Sequence, residues 1–550
     1  MKKIVQLSVL ILCFCSVVYG ADNTEKRTFR ISKNLTIFNS VLRELDLNYV
    51  DTLNYDKIVK TSLDYMLDKL DPYTVYLPEE ETDDLTFMTT GEYAGIGALI
   101  MKSGSDVCIS EPYEGMPAQR NGLKAGDVLV EIDGKTVKGL SVSAVSALLK
   151  GTPGTTITLK IKRPGASELI EKSFLREKIQ VNPVKYSAVV ANKVGYVMLS
   201  EFTDRATVEL KNAINEMVKT NKIESVVLDI RNNGGGLIDE AVKIVGFFVP
   251  KGTEVVTTKG KNEDADRTYK TPTEPIFPKM KLVILTNRSS ASASEIVAGS
   301  IQDLDRGVIV GERTFGKGLV QNIRPISFGG NLKVTSAKYY IPSGRCIQAI
   351  DYSHRNEDGS VGHIPDSLTH EFKTKIGRKV RDGGGIVPDS LTKDDRKINI
   401  AYYIFAQNQY FDFATQYVLK HPTIASPTEF KLTDDDLKSF TDYLMEKKFT
   451  YTTQTEKSFS ELLEMAKYEG LDVRAKDELA ALKTKLVPDI SKSMVENKAE
   501  ISELISLEIV KRYYYQKGEI QLSLLNDKDL KVALDLLKQG GKYQKILSGK

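Results

Sequence analysis

Histidine is scarce in this chain of 550 residues. Only four are present, all in the second half of the chain and in polar stretches. This scarcity disfavours Ser-His-Asp chemistry without excluding it, because residues that are distant in sequence can meet in space. A serine nucleophile in this chain would therefore need another candidate base. The four histidines are His354, His363, His370 and His421.

Cysteine is equally rare, and two of the four, Cys13 and Cys15, fall within the first twenty residues. The other two, Cys108 and Cys346, lie in strand-like segments of different predicted domains, so no disulfide framework is indicated. A strong charge of one sign is also missing. The formal net charge is +3, and two of these charges belong to the first twenty residues. This balance indicates no preference for nucleic acids or membrane surfaces.

Long apolar runs are absent after the N-terminus. The segment Met1–Gly20 contains two early lysines, an apolar core at Ile4–Val18 and a cleavage point before Ala21. This pattern predicts a secretory signal peptide, and an uncleaved membrane anchor is the alternative. We therefore expect an exported chain, located in the periplasm or cell envelope.

The most informative stretch of the chain is Ser289–Gln321. An apolar run before it, Lys281–Asn287, predicts a buried strand, and small residues then crowd together at Ser290–Ser294. Glu295 follows, at the start of a predicted helix. A serine at such a turn is well placed to be a nucleophile, because the free N–H groups and positive dipole end of the helix can hold an oxyanion.

A glycine-flanked lysine, Lys317, is the candidate base in this stretch. Burial can lower the pKa of a lysine from about 10.4 to about 7, at a cost of roughly 4–5 kcal/mol. Glycines on both sides let the backbone approach other groups closely and leave room around the amine. Gln321 could orient the amine if a turn or helix lies between them, since four residues of strand span about 13 Å.

The same segment partly matches a phosphate-binding loop, at Gly311-x4-Gly316-Lys317. The match fails at Gly318, where such a loop needs the serine or threonine that holds Mg²⁺. Export would also remove the chain from cellular ATP. We therefore disfavour nucleotide binding, and we expect no metal and no cofactor.

The strings SASASEIVAGSIQD and GERTFGKGLVQ resemble those of the carboxyl-terminal processing peptidases, also called tail-specific proteases. The resemblance implies a Ser-Lys dyad with Ser292 as nucleophile, Lys317 as general base and Gln321 as orienting residue, at the spacing of the family. An aspartate matching Asp303 has also been counted among the active-site residues of the family. Eleven residues along a continuous helix span about 16 Å, so we assign Asp303 a supporting role.

A second glycine-rich loop, Arg231–Gly236, follows a predicted buried strand at Ser225–Ile230 and precedes a predicted helix. The family usually has proline where Gly234 stands, so this loop is more flexible. The resemblance assigns the N–H groups of the oxyanion hole to Gly235 and Ala293. It also implies an α/β peptidase core of the ClpP/crotonase type.

Residues 91–167 resemble a PDZ domain, because short apolar strands alternate with turns and two helical segments. Glycines in the matching carboxylate-binding loop let successive N–H groups face one anion, and a peptide would add as a strand beside it. Apolar residues can line the adjoining pocket. In some relatives a basic residue in the second helical segment couples ligand binding to activity, and Lys150 stands near that position. The predicted peptide-binding residues are Gly95, Ile96, Gly97, Ala98, Leu149 and Lys150.

We therefore predict a multidomain α/β protein with an inserted β-rich PDZ domain. In the C-terminal part, Asn399–Leu419 and Ile490–Gln516 are among the predicted helical stretches. The predicted segments are a signal peptide at 1–20, an N-terminal helical region at 21–90, the PDZ domain at 91–167, an S41-type peptidase core at 168–397 and a C-terminal helical domain at 398–550.

Together these features predict an exported serine endopeptidase that cleaves proteins recognised through their C-terminal tails. The expected partners are protein or peptide substrates with free apolar C-termini, a second copy in a homodimer formed through helical regions, and an activator or adaptor protein. No nucleic acid is expected. The contrasting hypothesis is a catalytically inactive, PDZ-containing adaptor that binds peptides on a peptidase frame. The presence of both Ser292 and Lys317 speaks against it.

Overall fold

The computed structural model describes residues 26–81, 87, 89–356, 358–392 and 397–549. The predicted signal peptide lies outside these residues. The described residues form two compact units, one made of residues 26–77 with 323–334 and the other of the described residues within 78–322 and 335–549. No helix within the described ranges is long and apolar enough to cross a membrane.

The smaller unit contains two helices and a short strand. The first helix spans residues 26–48 and exposes a series of apolar side chains, among them Phe29 and Leu35. The second helix, Tyr55–Asp68, begins where the side chain of Asn54 accepts a hydrogen bond from the N–H of the third residue beyond it. The strand Val75–Leu77 pairs antiparallel with residues 331–333.

A six-stranded sheet forms the centre of the larger unit. Its first two strands are antiparallel, and each later neighbour is parallel to the one before. Nearly continuous apolar runs form its inner strands, as expected for parallel strands that are covered on both faces. In sheet order the strands are Val184–Ala191, Val194–Leu199, Ser225–Asp229, Lys281–Thr286, Val308–Gly311 and Ser390–Leu391.

Side chains of these strands alternate between two cores. Val226 and Leu228 enter the core under the helices that connect the strands, whereas Val227 enters the core on the opposite face. The connecting helices are Ala206–Asn221, Ile238–Val245 and Ala293–Asp303.

The last two helices of the chain, Lys528–Lys538 and Gly540–Ser548, cover the opposite face of the sheet. Leu530 and Leu536 pack there with Val227 and its neighbours. The sequence assigns this segment to the C-terminal helical domain. In the structure it covers one face of the central sheet, so residues that pack together on this sheet are far apart in sequence.

A second sheet, antiparallel throughout, belongs to the PDZ-like region. Its last strand, Ile170–Leu175, pairs with Thr156–Lys162 and extends the sheet beyond residue 167. The next strand, Glu177–Gln180, pairs with Glu92–Gly95, so the chain enters and leaves the region side by side. The other strands are Ala98–Ser103, Asp106–Pro112, Val128–Ile132 and Lys135–Thr136, and the helices are Pro117–Arg120 and Val142–Leu149.

Further strands lie outside the central sheet. The hairpin of Glu254–Gly260 and Arg267–Lys270 pairs through its first strand with residues 337–340. The remaining strands are Leu319–Pro325, Asn331–Tyr340, Ile350–Arg355, Val361–His363, Glu371–Lys373 and Lys379–Arg381.

The C-terminal helical region has its own apolar core. The helical stretch predicted over Asn399–Leu419 consists of two helices, because Asn408 adopts a left-handed conformation with φ 59° between them. Asparagine tolerates that conformation better than most residues. The helical stretch predicted over Ile490–Gln516 is also divided, at Asn497. The helices are Ile400–Ala406, Gln409–Lys420, Asp434–Glu446, Gln454–Tyr468, Lys476–Leu486, Ile490–Glu496 and Lys498–Ser523.

Candidate active site

Ser292 is the residue at which the chain turns from a strand of the central sheet into the helix Ala293–Asp303. It has φ 55° and ψ −114°, a conformation rarely adopted by residues other than glycine. Its N–H donates to Oε2 of Glu295, at 2.9 Å. The hydroxyl-bearing side chain is partly exposed. A strained turn that presents a serine beside free helix N–H groups is a suitable geometry for a nucleophile.

Two neighbouring serines have structural roles instead. Ser290 and Ser294 are both fully buried. The hydroxyl of Ser290 donates to the carbonyl of Ile230, at 2.8 Å, and that of Ser294 donates to the carbonyl of Asn233, at 2.9 Å. These bonds fasten the serine turn to the glycine-rich loop, and they leave Ser292 as the accessible serine of the three.

The predicted oxyanion residues lie directly beside Ser292. A Cβ atom on Gly235 would lie 2.7 Å from the Cβ of Ser292 and 3.0 Å from the backbone nitrogen of Ala293, so only glycine fits. Ala293 is the first residue of its helix, where the N–H has no acceptor within the helix. The N–H of Gly235 donates to Oδ1 of Asn233, at 2.9 Å. The two N–H groups assigned by resemblance therefore flank the serine.

Asn233 is a residue whose importance the sequence did not indicate. It is completely buried, and its amide donates to the carbonyl of Leu199, at 2.8 Å. Its own carbonyl accepts the N–H of Ala291 and the hydroxyl of Ser294. Asn233 thus joins the glycine-rich loop both to the sheet and to the serine turn.

Lys317 lies in the segment that leads from the strand Val308–Gly311 to the strand Leu319–Pro325. Its flanking glycines permit close packing: a Cβ on Gly316 would lie 2.3 Å from the Cβ of Ala349, and one on Gly318 would lie 2.8 Å from the nitrogen of Gln348. The prediction that the glycines allow close backbone approach is confirmed at both positions. The N–H of Lys317 donates to Oε2 of Glu295, at 2.9 Å.

Glu295 connects the serine turn to the lysine segment. The side chain is fully buried, and it accepts four hydrogen bonds, none of them from a cation. Burial raises its pKa to about 7, and hydrogen bonds from Thr314 and the backbone partly oppose that rise. From the sequence, Glu295 was expected only to start a helix. Its bond to Ser292 could have been predicted from the Ser-x-x-Glu spacing, which is typical of a capping box. The four donors are the N–H groups of Ser292, Gly316 and Lys317 and the hydroxyl of Thr314.

Gln321 lies within the strand Leu319–Pro325, so no helix or turn separates it from the end of the lysine loop. Its side-chain amide donates to the hydroxyl of Thr335 on the neighbouring strand, at 3.1 Å. Its role in orienting Lys317 stays a prediction.

Asp303 occupies the far end of the helix that begins after Ser292. It is buried and forms an ion pair with Arg345, at 2.8 Å, and it accepts the N–H of Ser343, at 3.0 Å. Burial raises the pKa of Asp303, and the Arg345 charge partly opposes this. These contacts fasten the turn after strand Asn331–Tyr340 to the helix, which is a supporting role at a distance from the serine.

The predicted carboxylate-binding loop is folded against its own domain. Ile96 and Leu149 are buried in the apolar core of the PDZ-like region. The side chain of Arg176 donates to the carbonyl of Leu149, immediately before Lys150 at the end of the helix. Gly97 has φ +72°, and a Cβ there would lie 2.5 Å from Met116, so this position requires glycine.

Tyr93 is a further residue of this loop that the sequence did not indicate. Its ring lies against Gly95, where a Cβ would be 3.1 Å from a ring carbon. Burial raises the pKa of Tyr93 to about 12, and the backbone N–H groups of Ala98 and Gly97 near its hydroxyl partly oppose that rise. Two donors expected to face a peptide carboxylate therefore lie near the hydroxyl of Tyr93.

Within the described ranges, no three His, Cys, Asp or Glu side chains form a group that could hold a metal ion.

Models of three protein families match the chain. The model of peptidase family S41 matches residues 193–353, that of a PDZ domain matches residues 108–163, and that of the probable PDZ-protease C-terminal helical domain matches residues 400–537. The three matches follow one another along the chain.

Individual proteins agree with these matches. The chain is 34% identical over 395 residues to a carboxy-terminal-processing protease of Bartonella bacilliformis, which covers 69% of this chain and 89% of that protein. It is 36% identical over 316 residues to a probable CtpA-like serine protease of Staphylococcus aureus, covering 57% of this chain and 62% of the relative. A solved photosystem II D1 C-terminal processing protease is 32% identical, with a TM-score of 0.36, and covers 64% of this chain and 86% of that chain.

The strained serine turn, the glycine-rich loop beside it and the α/β sheet beneath are the architecture of a serine-type peptidase. The chain belongs to peptidase family S41, and within it to the carboxy-terminal-processing proteases. The predicted fold class is confirmed: an S41 peptidase core with a PDZ domain and a C-terminal helical domain.

Proposed function

We propose that the chain is an exported serine endopeptidase in which Ser292 and Lys317 form the catalytic dyad. The observation that carries this proposal is the shared contact with Glu295. The backbone nitrogens of Ser292 and Lys317 are each 2.9 Å from the same carboxylate oxygen, so the two residues are neighbours although 25 positions separate them. The burial of Ser290 and Ser294 leaves Ser292 as the candidate nucleophile.

The reaction follows from these groups. A neutral Lys317 accepts the proton of the Ser292 hydroxyl as the oxygen attacks the scissile carbonyl. The N–H groups of Gly235 and Ala293 stabilise the oxyanion. To do so, the Gly235 N–H gives up its hydrogen bond to Oδ1 of Asn233 and donates to the oxyanion instead. Lys317 then gives its proton to the leaving amine as the C–N bond breaks. Attack by water, again with Lys317 as base, releases the acyl group from Ser292.

The PDZ domain recognises the C-terminal tails of substrates in this proposal. An extended tail adds as a strand beside the loop at 95–98, and its carboxylate takes the backbone N–H groups of that loop. Apolar tails are favoured because Ile96 and Leu149 belong to the apolar core of this domain. Lys150, at the end of the helix Val142–Leu149, is the residue through which binding would be coupled to activity.

Export, self-association and an activator complete the proposal. Export rests on the composition of residues 1–20 and leads to the periplasm or cell envelope.

A homodimer is supported by the exposed apolar side chains of the helix at 26–48, of which Phe29 is 68% exposed and Leu35 65% exposed. Sedimentation of the mature chain tests the dimer, and co-purification from the cell envelope tests the adaptor.

The dyad is tested by cleavage of a disordered reporter polypeptide that has a free apolar C-terminus. We expect the parent chain to cleave it, and Ser292→Ala and Lys317→Ala to lose at least about 10³-fold in turnover, because serine and base act as one unit. Ser289→Ala and Lys338→Ala change exposed residues of the same types nearby and are the matched controls.

Two outcomes would contradict the proposal. Full activity in Ser292→Ala would require another nucleophile. An inactive but folded parent that still binds the reporter through its free C-terminus would favour the second candidate, a PDZ-containing adaptor on a peptidase frame. A reporter with an amidated C-terminus separates recognition of the tail from cleavage, because it lacks the carboxylate that the PDZ loop would bind.

A further inference from the structure

The nucleophile and the base come from different segments, so something must fix the distance between them. Ser292 caps a helix, whereas Lys317 lies in the segment between the strands Val308–Gly311 and Leu319–Pro325. Transfer of a proton between a serine hydroxyl and an amine needs the two within hydrogen-bond reach. Two buried side chains contact the backbones of both residues.

The first of these side chains is Glu295, which binds their N–H groups. Its Oε2 accepts the N–H of Ser292 and the N–H of Lys317, both at 2.9 Å. Its Oε1 accepts the N–H of Gly316, at 2.7 Å, and the hydroxyl of Thr314, at 2.6 Å. One carboxylate therefore holds the serine turn with one oxygen and the lysine segment with both.

The second is Tyr339, which binds their carbonyl groups. The side chain is 1% exposed, and its hydroxyl donates to the carbonyl of Lys317, at 2.6 Å, and is 3.2 Å from the carbonyl of Ser292. Tyr339 belongs to the strand Asn331–Tyr340, which is separate from the helix of Glu295. The two residues that need a fixed separation are thus held at N–H and at C=O by side chains from two different elements.

We propose that Glu295 and Tyr339 are a pair of positioning residues that hold Ser292 and Lys317 at the separation needed for proton transfer. The inference rests on the proposed dyad. Neither side chain needs to touch the substrate, and neither exchanges a proton with it. Their effect is on the alignment of serine and base.

A purely structural role would look different. A buried carboxylate without a cation is costly, and an apolar side chain of similar size is the usual occupant of a site that only needs filling. Within the described residues, the Glu295 carboxylate accepts its four hydrogen bonds from the serine turn and the lysine segment. Tyr339 similarly directs its hydroxyl, rather than its ring alone, to those loops.

The first test is Glu295→Gln. The amide has nearly the same shape but one of its two heavy atoms becomes a donor, so it cannot accept all four bonds. We expect kcat on the disordered reporter to fall about 10²-fold, the loss that a displacement near 1 Å causes in an active site, with KM unchanged. Glu240→Gln is the matched control, because Glu240 is also a buried helix glutamate and accepts the N–H of Thr207 instead.

The second test is Tyr339→Phe, which removes only the hydroxyl. We expect kcat to fall about tenfold at unchanged KM, in line with the loss of one or two neutral hydrogen bonds. Tyr543→Phe is its control, since Tyr543 is a buried tyrosine whose hydroxyl donates to the carbonyl of Leu282, at the start of the strand Lys281–Thr286. If Glu295→Gln does not fold, as judged by its thermal transition, Tyr339→Phe alone decides the question.

Reaction of Ser292 with a fluorophosphonate supplies a readout that requires no peptide binding. Misalignment of the base lowers the labelling rate in both variants by the same factor as kcat, whereas a general loss of packing would lower Tm and leave the rate in the folded fraction unchanged. Wild-type kcat and labelling rates in the folded variants would overturn the inference. Activity that survives Ser292→Ala or Lys317→Ala would instead overturn the proposed dyad, so the two failures are distinguishable.

Discussion

Two adjacent glycines in the loop beside the nucleophile have very different surroundings. A Cβ on Gly235 would lie 2.7 Å from the Cβ of Ser292 and 2.9 Å from the carbonyl of Ala291, and φ is +107°. A Cβ on Gly234 would have no atom within 4 Å. Close packing therefore requires glycine at position 235 and not at position 234. Gly234 is nevertheless the position at which this chain differs from the family, which usually has proline there.

Replacing Gly235 with alanine is expected to disable the site. The methyl group cannot be accommodated unless the loop moves away from Ser292, so the Gly235 N–H leaves the oxyanion position. Loss of one oxyanion donor costs about 10²- to 10³-fold in turnover. Steady-state cleavage of the reporter measures it, and Gly234→Ala is the matched control, expected to remain within about twofold of the parent. Equal activity of the two variants would remove Gly235 from the oxyanion hole.

At the scale of residues, the sequence predicted features that lie within one short segment. It did not predict contacts between residues that are far apart in sequence. The serine turn and the glycine-flanked lysine are visible as short strings, and the capping box hints at Glu295. The bonds from Glu295 to the lysine segment depend on the sheet, which brings residues 295 and 317 together. Tyr339 lies in the strand Asn331–Tyr340, and no pattern of apolar residues tells which buried hydroxyl meets a loop.

At the scale of elements, the predicted carboxylate-binding loop has a neighbour that the sequence did not predict, the hydroxyl of Tyr93. The N–H groups of Gly97 and Ala98 lie near the hydroxyl of Tyr93 and lower its pKa. A peptide carboxylate that uses the same donors must displace that hydroxyl. The tyrosine therefore competes with the ligand that the loop is expected to bind.

Tyr93→Phe is expected to strengthen peptide binding. The ring that lies against Gly95 is kept, while the competing hydroxyl is removed and the two N–H groups become available. A competing neutral hydrogen bond of about 1 kcal/mol corresponds to a gain of about fivefold in affinity. Fluorescence anisotropy of a labelled peptide with an apolar C-terminus, bound to the Ser292→Ala chain with and without the second change, measures it.

The amidated form of the same peptide is the control for this prediction. It offers no carboxylate to the loop, so its weaker binding should not respond to Tyr93→Phe. A gain of the same size for both peptides would mean that the hydroxyl acts on the pocket and not on the carboxylate site. A loss of affinity for the free acid would show that the hydroxyl itself donates to the ligand.

Periodicity located most elements but not their interruptions. The strands Val128–Ile132 and Thr156–Lys162 are short and apolar, as predicted for residues 91–167. Asn408 and Asn497 break segments that are apolar at helical spacing on both sides. The hydrophobic pattern reports which face of a helix is buried, whereas a break depends on one backbone angle, and the pattern carries no information about it.

At the scale of the whole molecule, the end of the chain supports the loop beside the nucleophile. Arg231, the first residue of that loop, forms ion pairs with Asp229 of the sheet and with Asp527 and Asp529 of the last part of the chain. The side chain of Arg231 is 17% exposed. The helices that cover the second face of the sheet therefore also anchor the loop, which no local pattern in residues 231–236 could predict.

Asp527 combines two roles that substitutions can separate. It caps the helix Lys528–Lys538 by accepting the N–H of Leu530, at 2.9 Å, and it pairs with Arg231. Asp527→Asn keeps a good capping residue and removes the charge, whereas Asp527→Ala removes both. We expect Asp527→Asn to lower the free energy of unfolding by about 1–2 kcal/mol, less than the cost of breaking a fully buried pair because Asp229 and Asp529 remain. Asp527→Ala should add about 1 kcal/mol to that loss.

Urea denaturation, combined with turnover of the reporter under native conditions, tests this division. Asp489→Ala is the matched control, because Asp489 caps the helix Ile490–Glu496 through the N–H of Lys492, away from the central sheet. It should lose about 1 kcal/mol of stability and no turnover. Asp527→Asn should lose turnover as well, since a less constrained Arg231 loosens the loop that carries Gly235. If Asp527→Asn behaves like Asp489→Ala, the C-terminal helices stabilise the sheet without supporting the site.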